Sequence, residues 1–137
     1  MFRKRQKPTE VVRLNELEQL AAEGKPILID FWKVGCNPCR VMDGIVGELA
    51  DEFAGSAHIV KVNVGKVPGA IEAFGIRSTP TFVLLGRSQK KPSKKARKRA
   101  GGAPAASTAH SPRWRASGLV NKDVLARALE SNGAKRS

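Results

Sequence analysis

Cysteine and histidine are scarce here, with two of each in 137 residues. Two cysteines cannot build a disulfide-stapled scaffold. A zinc site would need all four of these side chains, since structural zinc takes four ligands. No apolar run approaches the ~18 residues that suggest a membrane-spanning helix. The first residues lack the apolar stretch of a secretory signal and the Ser-rich amphipathic character of a transit peptide. Acidic residues are also few, 12 against 25 Lys and Arg, for a net charge of +13. Residues 87–115 contain no acidic residue at all.

The excess charge is localised. Arg3, Lys4, Arg5 and Lys7 open the chain, and residues 87–115 carry ten more cations. The remaining 11 basic residues face 12 acidic ones, so the body of the chain is close to neutral. Its length fits one domain with room for a core. Two basic appendages on a neutral body suit a polyanion: nucleic acid, an anionic surface or an acidic protein. A solvated, solubilising tail is the other reading.

Both cysteines fall in Phe31-Trp32-Lys33-Val34-Gly35-Cys36-Asn37-Pro38-Cys39-Arg40. This stretch follows an apolar strand, Pro26 to Asp30, and opens a helical pattern. A Cys-x-x-Cys at a strand-to-helix junction is a redox device. The first thiol lies at a helix N-terminus, where unsatisfied N–H groups and the dipole favour a thiolate. Cys36 is therefore the candidate nucleophile and Cys39 the resolving thiol, one turn on. The alternative, half of a zinc site, would need His58 and His110, and His110 lies in low-complexity sequence. No metal and no cofactor beyond the Cys36–Cys39 disulfide is expected. This cysteine usage points to a reducing compartment, hence a cytoplasmic protein. The basic run also resembles a nuclear import signal, so a nuclear or organellar site is the eukaryotic alternative.

Residues 1–8 read as a disordered basic arm. Glu10 to Leu14 read as a short strand, and Asn15 caps a helix with Glu18 reaching back. A single helix from Thr9 to Glu23 is the alternative. Leu17, Leu20 and Ala21 give the helix its apolar face, and Gly24 closes it. Ile27 to Trp32 are apolar on both faces except at Asp30, as in a strand covered on both sides. Arg40 to Phe53 continue as a helix with Val41, Ile45, Leu49 and Phe53 inward and a bend at Gly44. His58 to Val64 form a strand, Pro68 to Phe74 a short helix ended by Gly75, and Thr81 to Gly86 another strand. Residues 87–112 show no apolar periodicity and predict a disordered insertion. Trp114 to Gly118 form an edge strand. Asn121 caps a last helix with Val124, Leu125, Ala128 and Leu129 inward. The domain spans residues 9–131, followed by a tail over 132–137.

Ile27 to Arg40, together with Arg77-Ser78-Thr79-Pro80-Thr81, resemble the thioredoxin family. The resemblance covers residues 10–86 and 113–131. It implies an α/β architecture, the thioredoxin fold, with a central mixed sheet of about five strands flanked by helices. It implies a monomeric thiol–disulfide oxidoreductase serving electron transport and cell redox homeostasis. Such a protein reduces protein disulfides and is recharged by a thioredoxin-reductase-like donor. Oxidase and isomerase activities share the fold. Pro38 matches the family's motif, which implies a reductant; Asn37 replaces the usual glycine. Asp30, a carboxylate in an apolar strand, would carry the proton of Cys39, with Lys61 on the neighbouring strand as its partner. A paired core charge with no catalytic share is the plainer reading. Thr79-Pro80 matches the family's cis-proline loop, whose backbone would pair with an extended substrate. Otherwise Pro80 is an ordinary turn proline. Gly118 matches the glycine beside that loop, and Trp32 an aromatic beneath the site. Gly35 departs from the family, which usually has tryptophan before the first cysteine.

The family's strand order would place the insertion and the basic arm at the pole away from the thiols. Lys90, Lys91, Lys94, Lys95, Arg97, Lys98 and Arg99 are the candidate polyanion contacts. No aromatic interleaves with them, so base stacking is not expected. A thioredoxin-fold module whose basic loop carries the function is the competing reading for the whole chain.

Overall fold

A computed structural model describes residues 5–87 and 110–136. The expected contacts at residues 90–99 lie outside the described residues. The elements run β1 (Thr9–Val11), α1 (Asn15–Ala21), β2 (Ile27–Trp32), α2 (Asn37–Glu52), β3 (His58–Asn63), α3 (Ala70–Phe74), β4 (Thr81–Arg87), β5 (His110–Ser117) and α4 (Lys122–Ser131). Among the described residues the strands form one sheet in the order β1-β3-β2-β4-β5. β2 pairs parallel with β3 and antiparallel with β4, so the sheet is mixed.

Side-chain alternation along the strands divides the core in two. Ile27, Ile29 and Phe31 of β2 join Val60, Val62, Val83 and Leu85 on the face that carries Leu17 of α1 and Ala70 of α3. Leu28 joins Ile59, Phe82 and Leu84 on the other face, under Met42, Val46 and Leu49 of α2 and Leu125 and Leu129 of α4. Lys122 at the start of α4 pairs with Glu48 at 3.0 Å and with Glu52, tying α4 to α2. These carboxylates raise the proton affinity of the Lys122 ammonium.

Several expectations are corrected. β1 is Thr9–Val11 rather than Glu10 to Leu14. The carboxylate that reaches back at α1 is Glu16, which accepts from the Val12 N–H at 2.8 Å and the Arg13 N–H at 3.3 Å. Leu14 holds the cap position that Asn15 was expected to take, so Asn15 is already inside the helix and Glu18 points elsewhere. In α2 the buried residues are Cys39, Met42, Val46 and Leu49, whereas Val41 is 64% exposed. The helix begins at Asn37; Leu49 and Phe53 are fully buried and Ile45 packs against the cluster, as expected, so Val41 is the member of the expected stripe that faces out. The helix is also unbroken across Gly44, whose absent side chain leaves the N–H free to bond, unlike a proline.

The strands extend past the expected limits of the insertion. Arg87 pairs with His110 and Leu85 with Pro112, across an irregularity at Leu84/Leu85. Pro112 sits on the edge strand, where a missing N–H costs no ladder bond. The termini are also held more than expected. The Gln6 N–H donates to Asp51 at 3.0 Å, and Ala134, 4% exposed, packs into the α2–α4 cluster. Asn121 occupies the α4 cap but makes no side-chain cap bond.

Leu49 is fully buried beneath α2, so Leu49→Ala should destabilise the protein by about 2–5 kcal/mol. Leu119→Ala, at a side chain 67% exposed, should change stability by no more than about 0.5 kcal/mol. Urea denaturation of the two variants checks this.

Candidate active site

Cys36 is the N-cap of α2, in extended conformation at φ −89° and ψ 107°. Pro38, in the first turn, has no N–H to leave unsatisfied and a φ already suited to helix. Cys36 and Cys39 form a disulfide with Cα atoms 5.3 Å apart. The Cys39 N–H points at Cys36 Sγ from 3.2 Å. That donor, with the other open N–H groups of the first turn, would stabilise a thiolate on Cys36 when the bond is reduced. Both sulfurs are nearly enclosed, Cys36 at 7% exposure and Cys39 at 3%.

The Thr79-Pro80 bond is cis, and the Thr79 carbonyl lies 3.4 Å from Cys36 Sγ. The Thr81 hydroxyl fixes this turn by donating to the Ser78 carbonyl at 2.7 Å, leaving it to accept from the Ser117 hydroxyl at 3.0 Å. The Gly118 N–H donates to the Pro80 carbonyl at 2.9 Å. Gly118 has φ +82° and Gly35 φ +83°, a left-handed region that favours glycine. A larger residue at Gly35 would meet open space but a strained backbone. Val34, 76% exposed, is the apolar side chain that stands at this rim instead.

Asp30 is 1% exposed on the sheet face that α2 covers. One row crosses the sheet there: Glu10 on β1, Lys61 on β3, Asp30 on β2 and Phe82 on β4. The expected Asp30–Lys61 pair is adjacent in register, yet the Lys61 ammonium bonds to Asp43 on α2 at 2.8 Å. Both Asp30 oxygens lack a hydrogen-bond partner. The reason is solvation: Asp43 is half exposed, so Lys61 reaches it without burying its charge, as lysine stems commonly do. Burial pushes the Asp30 carboxyl from its ordinary 3.8 up to about 7; Lys61 pulls it down by less, and Asp43 and Glu10 push it up. Trp32 is half buried, with the Lys61 ammonium 4.9 Å from its ring centroid and its indole N–H enclosed without a partner.

The model of the family described as thioredoxin matches residues 9–106. The chain belongs to the thioredoxin family. It is 45% identical over 64 residues to a thioredoxin of Haemophilus influenzae, covering 47% of this chain and 60% of that protein. It is 40% identical over 65 residues to Thioredoxin 1 of a Nostoc species, covering 47% of this chain and 61% of that one. The matches thus span about three fifths of these relatives' length. Among solved structures, a mutant thioredoxin from Halobacterium salinarum superposes with a TM-score of 0.69 at 23% identity, covering 96% of both chains. A thioredoxin of Malassezia sympodialis superposes at 0.70 and 20% identity, again covering 96% of both. These structural matches show the thioredoxin fold.

The structure brings together Cys36, Cys39, Thr79, Pro80 and Gly118 around one disulfide. Asp30 and Lys61 lie in the row under α2, Trp32 is in contact with Lys61, and Gly35, Asn37 and Pro38 form the exposed rim. Sequence reasoning missed Asp43, although its spacing, one turn after Cys39, was a readable signal. It also missed Arg115, whose guanidinium bonds the Phe74 and Gly75 carbonyls at the end of α3. The two histidines serve elsewhere: His58 faces Glu23 at 3.4 Å, and His110 meets the Lys25 carbonyl at 2.7 Å. Among the described residues no group of three acidic, Cys or His side chains could hold a metal. A cavity of about 980 Å³, bordered by Gly24, Arg87 and His110, opens at the far end of the sheet from the thiols.

The folded chain holds the Asp30 proton more tightly than the unfolded chain. Its stabilising contribution is complete below pH ~4 and is lost as pH rises to about 7. At ~1.4 kcal/mol per unit this amounts to about 4 kcal/mol. The stability of Asp30→Asn relative to wild type should therefore rise by about that amount between pH 4 and 8, read from urea unfolding of the oxidised protein. A constant difference across that range contradicts a protonated buried carboxyl.

Proposed function

We propose that this thioredoxin-family chain reduces protein disulfides by dithiol exchange through Cys36 and Cys39. The observation that carries the reading is the disulfide at the first turn of α2, with the Cys39 N–H aimed at Cys36 Sγ. In the reduced protein the Cys36 thiolate attacks one sulfur of the substrate, and the other substrate sulfur leaves as a thiolate. Asp30 takes the proton of Cys39. The Cys39 thiolate then attacks Cys36 Sγ, expels the second substrate sulfur and closes the Cys36–Cys39 bond. Two electrons pass from the dithiol to the substrate; one substrate thiolate receives the Cys39 proton held by Asp30, and the other takes a proton from water. A separate thioredoxin-reductase-like donor restores the dithiol.

The Ser78-Thr79-Pro80 backbone offers an extended substrate segment a place to pair beside Cys36, and Trp32, Gly35, Asn37, Pro38 and Gly118 shape the surround. The deeper burial of Cys39 and the closeness of Cys36 Sγ to the Thr79 carbonyl support this order of attack. The small rim at Gly35 favours substrates that do not need a broad aromatic shoulder. A monomer in a reducing compartment fits such chemistry. Cys36→Ser should abolish insulin disulfide reduction, while Cys39→Ser should accumulate a mixed disulfide with substrate, visible by non-reducing gel and intact mass. Equal activity in wild type and Cys36→Ser would refute the assignment.

A second reading concerns the basic insertion. The register puts Arg87 beyond Ile27, at the end of β2 away from Cys36. Six residues of strand separate those ends by roughly 20 Å. The seven cations of residues 90–99 belong to the connection between Arg87 and His110, whose ends lie away from the thiols, and would serve as a tether to a polyanion. Contact with ~6 phosphates of duplex DNA would give log K against log salt a slope near −5. Binding that ignores salt, or no binding at low salt, removes the tether.

A further inference from the structure

Lys61 has three carboxylates within its reach, and the one it takes is informative. Glu10 and Asp30 flank it in register on β1 and β2, on the same sheet face. Asp43 belongs to the helix above, one turn beyond Cys39 and on the same side of α2. The ammonium bonds Asp43 at 2.8 Å and stands 4.9 Å from the centre of the Trp32 ring. Asp30 keeps two buried oxygens without a hydrogen-bond donor.

We infer that Asp43 is a positioning residue: it holds the Lys61 ammonium on the α2 side of the row and so leaves the Asp30 carboxylate without a direct cation partner. A lysine stem is flexible enough to turn its ammonium toward either carboxylate. Two anchors, the Asp43 carboxylate and the Trp32 face, select the outer position, where the charge stays partly hydrated. A direct Lys61–Asp30 pair would fix the carboxylate in its charged form and disable it as a proton acceptor and donor near neutral pH. The groups facing Asp30 are Glu10 from β1, Lys61 from β3, Asp43 from α2 and the apolar Phe82 from β4. Of these, Lys61 alone favours the charged form. Neutralising Asp43 thus acts twice: it removes one repelling charge and releases the attracting one.

This inference rests on the proton-carrying role given to Asp30 above, but its test does not. The measurement is the titration midpoint of the Asp30 carboxyl, followed by its carbon-13 shift in the oxidised full chain. Four proteins are compared: wild type, Asp43→Asn, Lys61→Met and the double variant. Asp43→Asn should move the midpoint to lower pH. The shift should shrink to half or less when Lys61 is already methionine, and Asp43→Glu should restore the wild-type midpoint. Equal shifts with and without Lys61, or no shift, would overturn the positioning role. Insulin reduction measured alongside separates the two proposals. Loss of the titration coupling with normal turnover refutes the role of Asp43 alone. Intact coupling without turnover in wild type supports that role and refutes the reductase.

Discussion

Ile27 to Trp32 are hydrogen-bonded to β3 along one edge and to β4 along the other, and helices cover both faces. Everything chemical in the molecule hangs from that confinement. A one-residue slip would turn Ile27, Ile29 and Phe31 toward α2 and α4 and carry Asp30 to the α1–α3 face, undoing both halves of the core. Its C-terminal end therefore delivers Cys36 to one fixed point above the sheet. The antiparallel β4 starts at the same end, so the Thr79-Pro80 turn arrives against Cys36 from the other side.

The same confinement makes Asp30 costly. A carboxylate in that strand is almost wholly buried, and no protein group donates a hydrogen bond to it. Near neutral pH it is poised between holding and releasing a proton, which is the property a proton carrier for Cys39 requires. The lysine beside it relieves the charged form only in part, because its ammonium is bonded to a half-exposed carboxylate on α2. The site thus uses one surface ion pair, weak as a source of stability, to set the electrostatics of a buried group.

Arg87 and His110, between which the long connection runs, lie at the end of the sheet away from the thiols. β4 carries the polypeptide away from Cys36 before residue 88, and β5 brings it back from residue 110. Loop closure grows only slowly with length, so the long connection adds about 2 kcal/mol over a tight turn. The fold tolerates the insertion because it joins two strands whose pairing is already fixed by Arg87 to Thr81 against His110 to Ser117.

The redox motif and the strands Ile27–Trp32 and Thr81 onward were legible in the amino-acid order, because thiol spacing and apolar runs set them locally; the cis-proline turn and the fold were legible through the resemblance to the thioredoxin family. The outward turn of Val41 was not, since Val41 and Met42 are both apolar and only contact with the sheet decides which is buried. The pattern also placed Asn15 rather than Leu14 at the helix cap, and Glu18 rather than Glu16 as the carboxylate reaching back, because either spacing reads as a capping signal. The partner of Lys61 could not be read from strand pairing. Register names the neighbours, but the choice among three carboxylates depends on how much water each keeps, and the packing of α2 against the sheet is what sets that.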